Sequence, residues 1–363
     1  MTRTTITDVT VFDGAGILDG TRDVSFEQGV ITEIRSAGTA PAAGPTVDGT
    51  GATLLPGLID AHVHFLRPDE LSTLARYGVT TALDMGTWPP PFVSALRAAG
   101  TGADIRSSGA PIAGTGGPHA RIPGFPADSL VTSPEEARRR VAARVGERVD
   151  YIKLIMERPG AGGPDLDTAT AAVEAAHAAG LRVVAHASHT AAVALAVRAG
   201  ADVLTHAPLD AGLDAGLLRA LSDGGHVVVP TLTMMRGTAR NLGDPALSYD
   251  HARDAVIALH RAGATVVAGT DANDAHGVPA AVPHGSSLHD ELALLVEAGL
   301  SPTEALRSAT GVAASAFALH DRGGIRPGLR ADLLLVSGAP ALDITATRRI
   351  RGVWTTGRPV DLG

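Results

Sequence analysis

Residues 54–64 read LLPGLIDAHVH, a largely apolar run that closes on two histidines, His62 and His64. Apolar runs of this length that end in polar side chains are typical of buried parallel strands. Alternate residues of a strand project from the same face, so both imidazoles point to one side. A purely structural pair would need hydrogen-bond partners for four ring nitrogens. The pattern therefore favours two ligands that chelate one metal ion.

Seven more apolar runs follow, separated by Ala-rich stretches of helical length, as far as about Leu319. Eight strands that alternate with helices predict an α/β fold, a (β/α)8 TIM-type barrel. One helix start is explicit, because Ser133 supplies an N-cap and Pro134 the first helical position. The strands are expected to end near His64, Gly86, Ile112, Met156, Ala187, His206, Leu232 and Ala272.

Both ends of the chain carry short β-rich segments. Residues 4–35 have the pattern of a small meander, and the same style returns after Gly323 in ADLLLVSG and IRGVWTTGRPV. Two such ends that flank one barrel pair most economically with each other. The predicted domains are a small discontinuous β domain at 1–53 and 324–363 and the barrel at 54–323.

The composition excludes several classes of function. Aromatic residues make up 3% and the formal net charge is −8, so no nucleic-acid partner is expected. The chain has no Cys, which leaves only nitrogen and oxygen ligands for a metal. It lacks a window apolar enough for a membrane span, and its start lacks the pattern of a signal peptide. We therefore expect a cytoplasmic protein with no membrane partner.

Lys153 lies in the middle of the fourth apolar run, DYIKLIME. Burying an ammonium there is costly unless it is paired. One interpretation is a salt bridge with an Asp of a neighbouring strand. The other is a partly neutral amine that captures CO2, since the resulting carbamate could bridge two metal ions as a carboxylate would.

Three polar groups close later runs, namely His186, His206 and Asp271. Functional groups of α/β barrels lie at the carboxyl ends of strands, so these three should meet the two histidines of the first run. Asp84 also closes a run and is interpreted as structural, and His189 is expected to open a helix. The combination of imidazole and carboxylate suits Zn, with Mn, Co, Ni or Fe as alternatives.

Taken in order, these motifs resemble the amidohydrolase superfamily, the metal-dependent hydrolases, over nearly the whole chain. The strand-end motifs are PGLIDAHVH, YIKL, VVAHA, LTHA and GTDA. The terminal segments GTRDVSFEQGVITEI and IRPGLRADLLLV resemble the small β-sandwich domain of that family. The segment GSSLHDELALLVEAGLSPTEALRSAT resembles the branch that includes Xaa-Pro dipeptidases (prolidases) and imidazolonepropionases.

The resemblance implies a centre of two divalent metal ions, with Zn favoured, bridged by carboxylated Lys153. The more buried ion would be held by His62, His64 and Asp271, and the more exposed ion by His186 and His206. A hydroxide between the ions would be the nucleophile, and Asp271 would pass its proton to the leaving nitrogen.

The loops after the third, fourth and eighth strands supply the substrate-binding candidates. The loop Gly114–Gly124 is too rich in Gly and Pro for a helix and carries His119 and Arg121. His119 would donate a hydrogen bond to the substrate carbonyl or be a solvated loop residue, and Arg158 would bind a substrate carboxylate or be solvated. His284 is favoured because similar family members place a PHG-like segment beside the pocket.

These features predict a binuclear metal-dependent amidohydrolase that cleaves an amide-type C–N bond of a small molecule, such as an N-acyl amino acid or a dipeptide. A homo-oligomer is compatible with this prediction. A mononuclear deaminase, or a ring hydrolase of cyclic amides, imides or imidazolones, is an alternative, against which Lys153 argues. An ester or lactone hydrolase would use the same centre. A non-catalytic binding barrel would keep the fold but not the hydrolytic chemistry. The stretch ERPGAGGPDLD departs from the prolidase pattern and weakens dipeptide specificity.

Overall fold

The computed structural model describes residues 3–39 and 44–363 and has a mixed α/β fold. Residues 1–2 and 40–43, which fall in the first predicted domain, lie outside the described residues. The strands, numbered along the chain, are β1 (Thr4–Val11), β2 (Arg22–Glu27), β3 (Val30–Ser36), β4 (Thr46–Asp48), β5 (Ala52–Pro56), β6 (Leu58–Val63), β7 (Val79–Asp84), β8 (Asp104–Ser107), β9 (Ala113–Gly114), β10 (Leu130–Val131), β11 (Ile152–Ile155), β12 (Val183–His186), β13 (Val203–Thr205), β14 (Val227–Val229), β15 (Thr265–Val266), β16 (Leu333–Ser337), β17 (Ile350–Thr355) and β18 (Arg358–Pro359).

The helices lie mainly between the parallel strands. They are α1 (Glu70–Arg76), α2 (Pro90–Ala98), α3 (Pro134–Gly146), α4 (Leu166–Ala178), α5 (Thr190–Ala199), α6 (Ala215–Asp223), α7 (Leu232–Leu242), α8 (Tyr249–Arg261), α9 (Ser286–Glu297), α10 (Pro302–Ser308) and α11 (Gly311–Ala316). Segments of 3-10 helix occur at His119–Arg121, Ala127–Ser129 and Ile344–Arg348. Across the part of the chain that the structure describes, no helix has both the length and the apolar character to span a bilayer.

The predicted start of α3 is confirmed, and the reason is local. Ser133 has extended backbone and its hydroxyl accepts a hydrogen bond from the backbone N–H of Glu136 at 3.3 Å. Pro134 follows at the first helical position, where a missing N–H costs nothing. Helix α5 ends at Gly200, whose φ of 88° is the left-handed conformation that glycine adopts readily.

Strands from both ends of the chain form one sheet. Its order is β18-β17-β16-β5-β1-β2-β3, and β4 pairs with β1. Strand β5 joins the two ends, since it pairs antiparallel with β16 and parallel with β1. Because β5 spans residues 52–56, it crosses the predicted domain boundary at residue 53. The apolar face of the sheet includes Phe26 and Trp354, whose rings meet edge to face at 6.0 Å.

The central strands are parallel and form two larger sheets in the described residues, beside a parallel pair of β9 and β10. One has the order β6-β7-β8 and the other β11-β12-β13-β14-β15. Each sheet is extended by a single parallel bridge: Val63 of β6 pairs with Ala272, which follows β15, and Leu154 of β11 pairs with Ile112, which precedes β9. Backbone hydrogen bonds also join β6 to the segment after β15, including Ala61 N to Ala268 O at 3.0 Å. The predicted alternation of strands and helices is present, and it places the carboxyl ends of the parallel strands at one edge.

Two regular strands end earlier than the sequence predicts. Strand β8 ends at Ser107 rather than near Ile112, because Gly109 has a positive φ of 59° and Pro111 lacks a backbone donor. Regular pairing of β15 stops at Val266 rather than near Ala272. The chain beyond it still runs beside β6 and reaches Asp271, which has a φ of 58°.

Five of the parallel strands are buried on both faces, which explains their largely apolar sequence; they are β6, β7, β11, β13 and β14. One face belongs to a cluster that contains Ile59, Leu83, Val184, Val203, Val227 and residues of α11. The opposite face packs with the surrounding helices in a cluster that contains Leu58, Ala82, Val183 and Leu204. Polar groups at the strand ends are therefore carried by strands that pack on both sides.

Candidate metal centre

His62, His64 and Asp271 lie together at the carboxyl end of β6. One ligand atom of each lies within 4.8 Å of the others. Asp271 Oδ1 lies 3.0 Å from His64 Nε2 and 3.5 Å from His62 Nε2. The backbone N–H of Asp271 donates to the carbonyl of His62 at 2.8 Å, which brings the distant residue onto the strand. This is the arrangement expected from the alternation in AHVH.

Asp60, which the sequence analysis missed, ties this cluster together. Its carboxylate accepts hydrogen bonds from the backbone N–H of His62 at 3.2 Å and of Thr270 at 3.0 Å. It also accepts from the Thr270 hydroxyl at 2.7 Å, while that hydroxyl oxygen accepts from Ala272 N at 3.0 Å. Burial raises the pKa of Asp60 to about 7. The sequence pattern that could have identified Asp60 is a carboxylate inside an apolar run, two positions before His62.

His186 and His206 form the second part of the centre. His186 ends β12 and His206 directly follows β13, so neighbouring strands bring the two rings to a centroid distance of 4.6 Å. Nδ1 of His186 lies 2.9 Å from Nε2 of His206. The His206 ring also lies 4.9 Å from that of His62, so the two groups of histidines are continuous.

Burial keeps these imidazoles neutral, as metal ligands must be. It lowers the pKa of His62 and His186 well below the usual value and that of His206 to about 3. Burial alone would raise the pKa of Asp271, but its hydrogen bond with His64 and the surrounding positive groups lower it below the usual value. His64 differs from these three: burial alone would lower its pKa, but its hydrogen bond with Asp271 and the charge of that carboxylate raise it above the usual value. The centre therefore combines three neutral imidazoles with a pair formed by His64 and the Asp271 carboxylate.

Lys153 points its amine toward the same centre from β11. Its Nζ donates to the Thr205 hydroxyl at 2.8 Å, and the residue is 2% exposed. Burial lowers the pKa of this amine to about 7. Within residues 3–39 and 44–363, Lys153 has no ion-pair partner, so the salt-bridge interpretation finds no carboxylate. The amine is therefore available in part as a neutral nucleophile.

His119 joins the centre from the loop after β9. Its ring contacts that of His186 at 4.6 Å, and its Nδ1 lies 3.2 Å from Glu157 Oε1. The predicted loop forms a 3-10 turn at His119–Arg121 rather than lacking helix altogether. Glu157, just after β11, was missed by the sequence analysis, because nothing local links it to His119. The contact tethers His119 instead of leaving it as a solvated loop residue.

The other substrate-binding candidates lie in three different environments. Arg121 is exposed and donates to the carbonyl of Gly116 at 3.2 Å, while Arg158 is exposed at the loop after β11. His284 is 7% exposed, and its Nε2 donates to the backbone carbonyl of His64 at 2.8 Å. Its ring also stacks on Phe65 at 5.8 Å. His284 thus supports the strand end that carries His64.

The donor set suits a divalent cation. His62 Nδ1 is buried and has no hydrogen-bond partner in the described part of the chain. Such an unpartnered nitrogen is costly in a closed core. Imidazoles, an amine and one carboxylate that face one another are the ligand types of Zn and related borderline ions. The residues present therefore fit a metal ion.

His289 lies outside this centre and offers a separate test of the fold. The residue is buried in α9, and its ring nitrogens lie 2.9 Å from the Tyr77 carbonyl and 3.0 Å from Thr347 Oγ1. Burial lowers the pKa of His289 from 6.5 to about 4. The unfolded chain therefore binds more protons between these values, and the free energy of unfolding should decrease as the pH falls through this window.

We expect His289→Gln to make this decrease shallower, by on the order of 3 kcal/mol between pH 6.5 and 4. Urea unfolding of the metal-free protein across that range measures the difference. His320→Gln, at an exposed histidine, is the control. Parallel curves for the wild type and His289→Gln would show that this imidazole does not cause the loss of stability.

A group of histidines and one aspartate at the ends of parallel strands is the kind of centre found in metal-dependent hydrolases. The chain belongs to the amidohydrolase family, whose family model matches residues 53–360. It is a hydrolase. The family predicted from the strand-end motifs is confirmed.

Individual relatives agree with the predicted branch. An uncharacterised protein of Mycobacterium tuberculosis is 30% identical over 301 residues, covering 75% of this chain and 76% of the relative. The imidazolonepropionase of Salinispora tropica is 28% identical over 381 residues, covering 91% of this chain and 90% of the relative. A Xaa-Pro dipeptidase crystallised with methionine in its active site has the same fold, with a TM-score of 0.85, 23% identity and coverage of 98% and 99%. The branch that resembles prolidases and imidazolonepropionases is therefore also confirmed.

Proposed function

We propose that the protein is a metal-dependent amidohydrolase that holds two divalent ions, preferably Zn, and cleaves an amide-type C–N bond of a small molecule. The observation that carries this proposal is the convergence of three histidines and Lys153 on the Asp271 carboxylate, with His186 bonded to one of those histidines, His206. The donor atoms of this group suit a divalent cation, which supports a metal site. Membership of the amidohydrolase family supports hydrolysis.

Six residues would hold the two ions. His62, His64 and Asp271 would bind one ion, His186 and His206 the other, and Lys153 would bridge them as a carbamate. The carbamate forms when the neutral Lys153 amine attacks CO2 and loses a proton. A buried amine whose pKa is lowered to about 7 is suited to this step.

Divalent ions, when bound, polarise the scissile carbonyl and lower the pKa of water toward neutrality. The chain's own residues supply the remaining chemistry. Asp271 would accept a proton from the attacking water and deliver it to the leaving nitrogen. His119, oriented by Glu157 at 3.2 Å, would donate a hydrogen bond to the substrate carbonyl. Arg121 and Arg158 would attract a substrate carboxylate, and His284 would line the pocket.

The architecture that carries this centre is proposed to be a closed (β/α)8 barrel at 54–323. A small β-sandwich domain at 1–53 and 324–363 would complete it. Hydrogen bonds between β6 and residues 268–272, together with those of Ile112 with Lys153 and Ile155, support closure of the ring. The sheet built from both termini supports the second domain.

Two substrate classes follow from the relatives. The likeness to a Xaa-Pro dipeptidase supports linear amides such as dipeptides and N-acyl amino acids. The likeness to imidazolonepropionases, over 91% of this chain, supports the second candidate, opening of a cyclic amide. The buried Lys153 favours the binuclear centre and hence the first class.

A hydrolysis screen with Zn-loaded protein tests the proposal. We expect turnover of at least one member among N-acyl amino acids, dipeptides, cyclic imides and lactams, lost on chelation and restored by Zn. A preference for lactams or imides would select the cyclic class. If no member of this panel is hydrolysed, even by protein that hydrolyses esters or lactones, the result would contradict cleavage of a C–N bond.

A further inference from the structure

Helix α7 begins just after strand β14, and its first turn is capped by a side chain from another helix. Glu291 of α9 accepts hydrogen bonds from the backbone N–H of Leu232 at 2.8 Å and of Thr233 at 2.7 Å. The same carboxylate accepts from the Thr233 hydroxyl at 2.8 Å. Glu291 is fully buried, and in the described residues it has no ion-pair partner. A buried carboxylate without a cation is a costly way to cap a helix.

Thr231 occupies the position that would normally provide this cap. An N-cap threonine usually accepts a hydrogen bond from the second or third N–H of its helix. Here Thr231 makes no such bond, and its backbone is left-handed with φ 48° and ψ 48°. A β-branched residue rarely adopts this conformation, so the surroundings must hold it there. The Thr231 hydroxyl is instead hydrogen-bonded to Nδ1 of His206.

These contacts form one chain from α9 to the candidate metal centre. Because Glu291 occupies the free N–H groups of α7, the Thr231 hydroxyl does not need to cap the helix and can face His206. A partner on Nδ1 orients an imidazole and determines which ring nitrogen carries the proton. If Nδ1–H donates to Thr231, the lone pair is on Nε2, which faces Nδ1 of His186, the other predicted ligand of the same ion, at 2.9 Å.

We propose that Glu291 is a positioning residue of the metal centre, which holds Thr231 in the left-handed conformation that orients His206 and selects its tautomer. The proposal rests on the proposed function only for the metal that His206 would bind. The orientation and tautomer of His206 are properties of the metal-free protein and can be tested without it.

The first test is zinc binding to the metal-free protein, measured by competition with a chromophoric chelator. Removing the partner of a ligating histidine typically weakens metal affinity about 10- to 100-fold. We expect a loss of this size in one binding step for both Glu291→Gln and Thr231→Val. Because both act on the same contact, the double variant should lose little more than either single variant. Thr231→Ser keeps the hydroxyl and should retain affinity.

Asp332→Asn is the matched control for a buried carboxylate. Asp332 is 4% exposed, accepts from Thr356 N at 2.7 Å and pairs with Arg330 at 2.9 Å, just before β16. We expect this variant to lower the thermal midpoint without changing zinc affinity. A lower midpoint for Glu291→Gln with unchanged zinc affinity would reduce Glu291 to a structural cap and overturn the proposal.

The second test is the tautomer of His206 in the metal-free protein, read from long-range ¹⁵N–¹H spectra and assigned with a His206→Gln variant. The wild type should show one tautomer, with the proton on Nδ1, and Glu291→Gln and Thr231→Val should show a mixture. An unchanged tautomer in both variants would overturn the proposal. If Glu291→Gln does not fold, Thr231→Val decides it. If the wild type binds no zinc, the proposed function fails, and the tautomer still decides the role of Glu291.

Discussion

Hydrolysis is expected to fall about a thousand-fold or more when Lys153 is replaced by alanine, and the zinc bound per chain should fall with it. The Lys153 amine is buried at the centre, and among the residues that the structure describes its hydrogen-bond partner is the Thr205 hydroxyl. As a carbamate it would bridge the two ions, whose joint action supplies several kcal/mol of transition-state stabilisation. Each 1.36 kcal/mol corresponds to about a factor of ten in rate. Turnover with a preferred amide and zinc content by elemental analysis measure both effects.

Two further measurements isolate the carbamate from a general loss of structure. Short carboxylic acids should partly restore activity to Lys153→Ala, because they can fill the vacated bridge. Zinc reconstitution of the wild type should need bicarbonate, whereas Lys153→Ala should be insensitive to it. Thr205→Val removes the hydroxyl to which Lys153 donates but keeps the Lys153 amine. It is the control for a change beside the centre that leaves the bridging residue in place. Unchanged turnover of Lys153→Ala would exclude the bridging role.

Substitution of Asp271 by asparagine should lower kcat about 10²- to 10⁴-fold, the range typical for loss of a general acid–base group. The amide cannot take a proton from water and return it to a leaving nitrogen. The fold should persist, because asparagine tolerates the left-handed conformation that Asp271 adopts at φ 58°. The backbone bond from residue 271 to the His62 carbonyl is also independent of the side chain.

Asp274→Asn is the control for this experiment. Asp274 lies in the same loop, is exposed, and pairs with Arg67 at 2.9 Å. Its replacement should leave kcat unchanged, while thermal midpoints should be similar for both variants. If Asp271→Asn retained near-normal kcat with full zinc content, the proton would have to travel by another group.

Much of the candidate site could be predicted from local sequence. His62 and His64 share a strand face because of the two-residue period of extended backbone. His186 and His206 each stand at the end of a short apolar run, and parallel strands in this fold class expose their ends at one edge. Lys153 was conspicuous because a cation interrupts an apolar strand. In each case the informative pattern lies within a few residues.

The supporting residues could not be predicted in this way. Glu157 is 38 residues from His119, and Asp60 is 210 residues from Thr270. Glu291 reaches Leu232 across 59 residues from a helix whose pattern indicates only an apolar face. His284 was predicted to line a pocket, and the structure shows its ring nitrogen bonded to the backbone of His64. Nothing in the neighbourhood of these side chains specifies their partners.

From its sequence alone, this chain could be assigned to an α/β fold of parallel strands, to the amidohydrolase family and to a set of polar residues that end those strands. Periodicity and strand-end position are local properties, so one sequence is enough to reveal them. Only the tertiary structure decided that Asp60 holds Thr270, that Glu157 tethers His119 and that the Thr231 hydroxyl faces His206. These contacts depend on how distant segments pack, because a hydrogen bond needs two atoms within about 3 Å and sequence spacing does not determine that distance.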